Sequence, residues 1–179
     1  MIFLFSFTSK RNLNRKLTKC TVAFVGDNAP FVKQETVNKL LIEYNSEVSS
    51  IQKVNLDLNK LEKRLNSQDM IEKSDVFVSI DGVLKAVVKQ KTPTARIFDS
   101  NGSFYVDYMG DRMPLSANFT ARVPLVLGVI NKNNNDDLAE LFRIIYDDPF
   151  FIIYLIGIEI MKNGSFKMNN RYFVYNIDF

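Results

Sequence analysis

The chain has no histidine, no tryptophan, one cysteine and only seven glycines among its 179 residues. Each scarcity removes a class of chemistry. Without histidine the chain lacks the usual general base near neutral pH and the most frequent metal ligand, so neither a Ser-His-Asp nor a Cys-His arrangement can be assembled. Cys20 alone allows no internal disulfide and no multi-cysteine zinc site. It lies in the apolar run Cys20-Thr21-Val22-Ala23-Phe24-Val25, which predicts a buried structural thiol. Too few glycines are present for a phosphate-binding loop or a dinucleotide fingerprint, and Gly26, Gly82, Gly102 and Gly164 each fall in a turn. Charge of one sign is scarce too. The excess of 23 basic over 20 acidic side chains leaves +3, too little to argue for a nucleic-acid surface. No apolar run approaches the roughly 20 residues that span a bilayer; residues 1–7 and 150–158 are both too short.

What is present is globular in composition, with 46% hydrophobic and 24% charged residues, which argues against disorder. Fifteen Phe and seven Tyr favour strands, where aromatic side chains pack well on a pleated surface. The length suits one ordinary domain or two small ones. Residues 1–7, Met-Ile-Phe-Leu-Phe-Ser-Phe, have no basic segment before them and no cleavage site after them, so they do not form a complete signal peptide. Two readings remain for them: the outer end of a transmembrane helix, or an ordinary N-terminal strand.

Residues 10–19 carry Lys10, Arg11, Arg15, Lys16 and Lys19 and read as a linker. Residues 20–25 read as a strand closed by the turn cluster Gly26-Asp27-Asn28-Ala29-Pro30. Val37, Leu40, Leu41 and Tyr44 recur at helical spacing and predict a helix over 33–44. Asp57 reads as the cap of a second helix with the stripe Leu58, Leu61 and Leu65. The segments 75–80 and 83–89 alternate about Asp81-Gly82, a pair suited to a two-residue hairpin turn. Val76, Val78 and Ile80 are expected on one face, joined by Leu84, Ala86 and Val88. Beyond it, residues 92–98 read as an extended segment with Pro93 at a boundary or edge. Strands follow over 103–108 and 122–127. A third helix, capped by Asp136 and Asp137, carries Leu138, Leu141, Phe142 and Ile145 and is interrupted at Asp147-Asp148-Pro149. A closing meander runs over 156–161, 165–168 and 171–179, with Asn169-Asn170 as its last turn.

No constellation of chemistry emerges. Adjacent carboxylates in Asp136-Asp137 and Asp147-Asp148 point in different directions, and capping accounts for both pairs. Tyr105, Tyr108, Tyr172 and Tyr175 have no basic stripe beside them and read as sheet aromatics. The expected catalytic, metal and cofactor assignment is therefore none. The candidate for recognition is the alternating segment 171–179. A strand at a sheet edge exposes N–H and C=O groups that another chain's strand can pair with. On that ground Arg171, Tyr172, Val174, Asn176 and Asp178 are the candidate partner-binding residues.

Four segments carry a resemblance: Phe24-Val25-Gly26-Asp27-Asn28-Ala29-Pro30-Phe31-Val32, residues 75–82, Val88-Lys89-Gln90-Lys91-Thr92-Pro93-Thr94-Ala95-Arg96, and Gly110-Asp111-Arg112-Met113-Pro114-Leu115-Ser116. With Arg122-Val123-Pro124-Leu125-Val126-Leu127-Gly128, their order resembles the FtsQ/DivIB cell-division family in its Bacteroidetes form. The resemblance implies an α+β chain. Residues 1–19 would hold the end of a transmembrane helix and a linker, 20–98 a POTRA domain (β-α-α-β-β), and 99–179 a mixed β-rich domain with a helix. It further implies a non-enzymatic, single-pass membrane protein, mostly periplasmic, that joins the divisome through FtsB-like and FtsL-like proteins. Family members continue with a further helix and a last strand, that last strand pairs with FtsB, and the expectation is that this chain stops before it. The basic cluster after the apolar run departs from the positive-inside rule. Two rival readings are a POTRA-type polypeptide-binding module of outer-membrane transport or assembly, and a small enzyme using carboxylates.

Overall fold

The computed structural model describes residues 16–26, 31–42, 56–99, 102–128, 135–161, 165–172 and 174–177, with backbone alone at 135–136 and 174–177. The chain divides into two compact units between Gln90 and Lys91.

The first unit runs β1 (Lys19–Val25), α1 (Gln34–Leu41), α2 (Leu58–Asn66), β2 (Ile71–Val78) and β3 (Val83–Gln90). This is the β-α-α-β-β order that the POTRA resemblance implied. β3 is central in a three-stranded sheet, parallel to β1 and antiparallel to β2. A single alternation explains its core: Leu84, Ala86 and Val88 of β3 face the helices, opposite Cys20, Val22 and Phe24 of β1. The helices contribute the residues whose spacing foretold them. Val37 and Leu41 of α1 and Leu65 of α2 are at most 2% exposed, and burying each side chain contributes roughly 1.5–3 kcal/mol. α2 begins where expected, with the Asp57 carboxylate accepting from the Lys60 N–H at 3.0 Å.

Three details of this unit depart from expectation. Leu17 is buried in the core and the Thr18 N–H donates to the Gly82 carbonyl, so residues 16–19 belong to the folded unit rather than to a linker. The hairpin turn is not a two-residue loop. The Ser79 N–H donates to the Val83 carbonyl and the Gly82 N–H to the Ser79 carbonyl, and only Gly82 has positive φ (85°). Asp81 keeps negative φ, so the connection is a longer turn closed by a left-handed glycine. Ile80 therefore leaves the strand's alternation and is 89% exposed.

The second unit runs β4 (Pro93–Asp99), β5 (Gly102–Asp107), β6 (Arg112–Met113), β7 (Leu125–Gly128), α3 (Asn135–Asp147), α4 (Pro149–Tyr154), β8 (Leu155–Ile160), β9 (Phe166–Asn170) and β10 (Val174–Ile177). The seven strands form one mixed sheet in the order β10-β9-β8-β7-β4-β5-β6. α3 lays Leu138, Phe142 and Ile145 on one face of it, against Ala95, Ile97, Val126, Ile158 and Met168.

Here the expected boundary at 98/99 is corrected. β4 pairs antiparallel with β5 and parallel with β7, and its Ala95 and Ile97 lie in the second core. Following a hairpin in sequence made it look like that hairpin's continuation; its hydrogen bonds place it in the other sheet. The strand expected over 122–127 starts three residues late, because Pro124 offers no N–H to a ladder while its carbonyl accepts from the Arg96 N–H. The apolar run 150–158 divides into α4 and β8. Asp148 caps α4 through the Phe150 N–H at 2.7 Å, with Pro149 in its first turn, an arrangement proline favours. Among the described residues no helix is long and apolar enough to cross a membrane. Residues 1–7, where the end of a transmembrane helix was expected, lie outside the described residues.

Candidate partner-binding edge of the second sheet

β10 is the last strand of the seven-stranded sheet and, among the described residues, pairs with β9 alone. Which of its backbone groups face outward follows from the ladder. The Met161 N–H donates to the Ser165 carbonyl at 2.9 Å, one residue beyond the register in which Glu159 opposes Lys167 and Ile160 opposes Phe166. Hydrogen-bonded pairs alternate in an antiparallel ladder, so Lys167 and Asn169 direct their N–H and C=O toward β8, and Phe166 and Met168 direct theirs toward β10. Their partners on β10 are Ile177 and Tyr175. Val174 and Asn176 are left with backbone N–H and C=O pointing away from the sheet.

The strand expected over 171–179 does not include its first two residues, and the five candidate residues separate. Val174 and Asn176 lie in β10, opposite Asn169 and Lys167. Arg171 and Tyr172 do not; they form the bend between β9 and β10. β9 extends through Asn170, so the turn falls two residues beyond Asn169-Asn170. The Arg171 N–H donates to the Tyr154 carbonyl at 2.9 Å, and the Tyr172 N–H donates to Asn170 Oδ1 at 3.4 Å. Asp178 lies outside the described residues.

Beside this bend the structure gathers aromatic side chains that the sequence reading did not connect. The Tyr172 ring lies 6.2 Å from that of Tyr154, which lies 4.8 Å from Phe150, which lies 5.6 Å from Phe151. Tyr172, Phe150 and Ile153 are all more than half exposed. The signal was available in Asp148-Pro149, an N-cap followed by a first-turn proline, which marks a helix start inside the apolar run.

The groups weighed for chemistry are dispersed. Asp147 accepts from the Tyr108 hydroxyl at 2.8 Å, and this bond to a carboxylate raises the tyrosine pKa. Asp148 caps α4. Asp107 is 3% exposed and accepts from the Met109 and Asp111 N–H groups and from Lys91 Nζ at 2.9 Å, an arrangement that ties β4's entry to the β5–β6 turn. Burial raises the Cys20 pKa, which keeps it a thiol rather than a nucleophilic thiolate. Tyr105 is 1% exposed and its hydroxyl accepts from the Ala121 N–H. Among the described residues no three His, Cys, Asp or Glu side chains converge on a metal position.

The fold and its edge define a two-unit α+β protein whose larger mixed sheet ends in β10, a strand that among the described residues pairs with β9 alone. Residues 92–179, the second unit almost from its first residue, match the family described as FtsQ/DivIB, C-terminal related. The chain belongs to the FtsQ/DivIB family through this unit, and its role lies in cell division. No curated protein matches the chain.

Proposed function

We propose that the chain is a non-enzymatic divisome scaffold that takes a strand from a partner protein on the outer edge of β10. Its partners in this reading are FtsB-like and FtsL-like proteins, met outside the cytoplasmic membrane at the septum. Holding them there contributes to the control of septal peptidoglycan synthesis. The observation that carries the reading is the outward direction of the Val174 and Asn176 backbone groups at the end of a seven-stranded sheet. A partner strand docked there gains main-chain hydrogen bonds that do not depend on its sequence, and alternate side chains then supply selectivity. The exposed Tyr172 and Phe150, linked through the Tyr154 ring, lie beside the bend that opens β10 and offer apolar contact to side chains flanking the added strand. The absence of histidine and the dispersal of the carboxylates favour recognition over catalysis.

The test is titration calorimetry of the full-length protein with the FtsB and FtsL homologues of the same organism. Binding by the folded wild-type chain, weakened by substitutions in β10, is expected. A folded full-length chain that binds neither homologue refutes the proposal.

A further inference from the structure

The first unit's sheet also ends in a strand, and its edge is treated differently. The Ser79 N–H donates to the Val83 carbonyl, and β2 keeps that register through Val78 opposite Leu84 and Val76 opposite Ala86. By the same alternation, Phe77 and Asp75 direct their backbone groups toward β3, while Ser74 and Val76 direct theirs outward. These outward N–H groups are occupied. Asn66 Oδ1 accepts from the Ser74 N–H at 2.7 Å and Glu62 Oε2 from the Val76 N–H at 3.3 Å. The Ser74 hydroxyl also donates to Asn66 Oδ1, at 2.8 Å. Glu62 and Asn66 stand four residues apart on α2 and so on one helix face. From that face the two side chains take the outward N–H groups that a second strand would otherwise use, without supplying a strand's ladder.

We infer that Glu62 and Asn66 are edge guards: they close β2 against strand pairing with a second copy of this chain. The second copy is the occupant that β2's own sequence fits. In an antiparallel pairing centred on Ser74, Lys73 opposes Asp75 of the other copy and Asp75 opposes its Lys73. Both side chains are exposed, and opposite charges directly across strands stabilise pairing. Unpaired edge strands are the usual route to unwanted association, and native sheets blunt them with side chains or covering elements. The inference concerns the first unit and stands independently of any partner for β10.

The test combines amide hydrogen exchange with light scattering on the full chain. In the wild type the Ser74 and Val76 amides should exchange slowly for edge positions, and the chain should stay monomeric at all concentrations. Glu62→Ala should speed Val76 exchange about tenfold, the factor one net hydrogen bond supplies, and leave Ser74 unchanged. Glu62→Gln, which retains an acceptor oxygen, should behave as the wild type. The double variant Glu62→Ala/Asn66→Ala should dimerise with rising concentration. Adding Lys73→Asp should abolish that dimer by setting like charges across from each other, and adding Lys73→Asp together with Asp75→Lys should restore it. A folded double variant that stays monomeric overturns the inference, as does a dimer indifferent to the Lys73 charge. Where circular dichroism shows the double variant unfolded, Glu62→Ala alone decides, and wild-type exchange at its Val76 amide overturns the inference.

Discussion

Replacing Asn176 by proline separates the outward backbone of β10 from everything else the strand does. The Asn176 N–H faces away from β9 by the alternation of the ladder. Proline there removes no internal hydrogen bond, and edge strands tolerate it in this orientation. The extended backbone of Tyr175 suits the residue before a proline. The fold should therefore survive, with a melting temperature near that of the wild type. An incoming strand, in contrast, loses one main-chain hydrogen bond, about 0.5–1.5 kcal/mol, and is left with a carbonyl facing the pyrrolidine ring, a further 1–3 kcal/mol or so. Together these weaken strand addition by about 1.5–4.5 kcal/mol, or roughly 10- to 1,500-fold in Kd. Calorimetric titration with the partner that binds the wild type measures this. Asn176→Ala is the necessary companion, since it keeps the N–H and should cost little. Tyr175→Pro reverses the pattern: it breaks the bond to Met168 and should destabilise β10 itself. Wild-type affinity in a folded Asn176→Pro chain, or equal losses for proline and alanine, refutes main-chain pairing at this edge.

The remaining predictions concern stability and reactivity. Asp107→Ala strips the Met109 and Asp111 N–H groups of their acceptor and leaves Lys91 only the more distant, exposed Asp111 carboxylate at 4.0 Å; breaking so buried a pair should cost about 3 kcal/mol in denaturant unfolding of the second unit. Gly128→Ala should lower that unit's melting temperature, because Gly128 has φ +120° and an added Cβ would sit 2.5 Å from the Ile160 carbonyl oxygen, a strain of about 1–3 kcal/mol. Cys20 should alkylate far more slowly in the folded chain than in urea near neutral pH, since burial raises its pKa. The protonated thiol is the form that folding favours, so its contribution to stability is complete below the unfolded thiol pKa and is lost as pH rises through the higher folded value. Tyr108 carries the same sign through its bond to the Asp147 carboxylate. In ultraviolet titration Tyr108→Phe should remove a tyrosine that ionises late.

Periodicity made the helices legible. The stripes Leu58, Leu61, Leu65 and Leu138, Phe142, Ile145 needed only the helical repeat to be read, and both became core. The strands were legible in kind and less so in extent, for reasons that differ from place to place. Ile80 continues the alternation of Val76 and Val78 in the sequence, yet it lies in a turn whose geometry is set by hydrogen bonds between Ser79, Gly82 and Val83. Local pattern does not report those bonds. β4 was assigned to the wrong unit because its partners, β5 and β7, follow it in sequence, and a parallel pairing such as β4–β7 leaves no turn signature. Segment 171–179 alternates throughout, but the Arg171 N–H is held by the Tyr154 carbonyl. That contact holds the bend at Arg171 and Tyr172 and removes both from the edge they were expected to form.

The same limit explains why the two sheet edges could not be told apart beforehand. β2 and β10 both read as alternating segments with exposed positions, and both are terminal strands of their sheets. What distinguishes them is whether something nearby accepts from the outward N–H groups. For β2 the acceptors come from α2, eight residues earlier in the Asn66–Ser74 pair and fourteen in the Glu62–Val76 pair. A glutamate and an asparagine on a helix surface read as ordinary solvated positions until the strand is laid beside them. For β10 the outward groups of Val174 and Asn176 have no such side chain brought to them among the described residues. Guarding one edge costs two surface side chains their freedom, which is little beside the association an exposed ladder invites. At β10, whose described partner is β9 alone, the outward main-chain groups are the ones that the proposed strand addition would use.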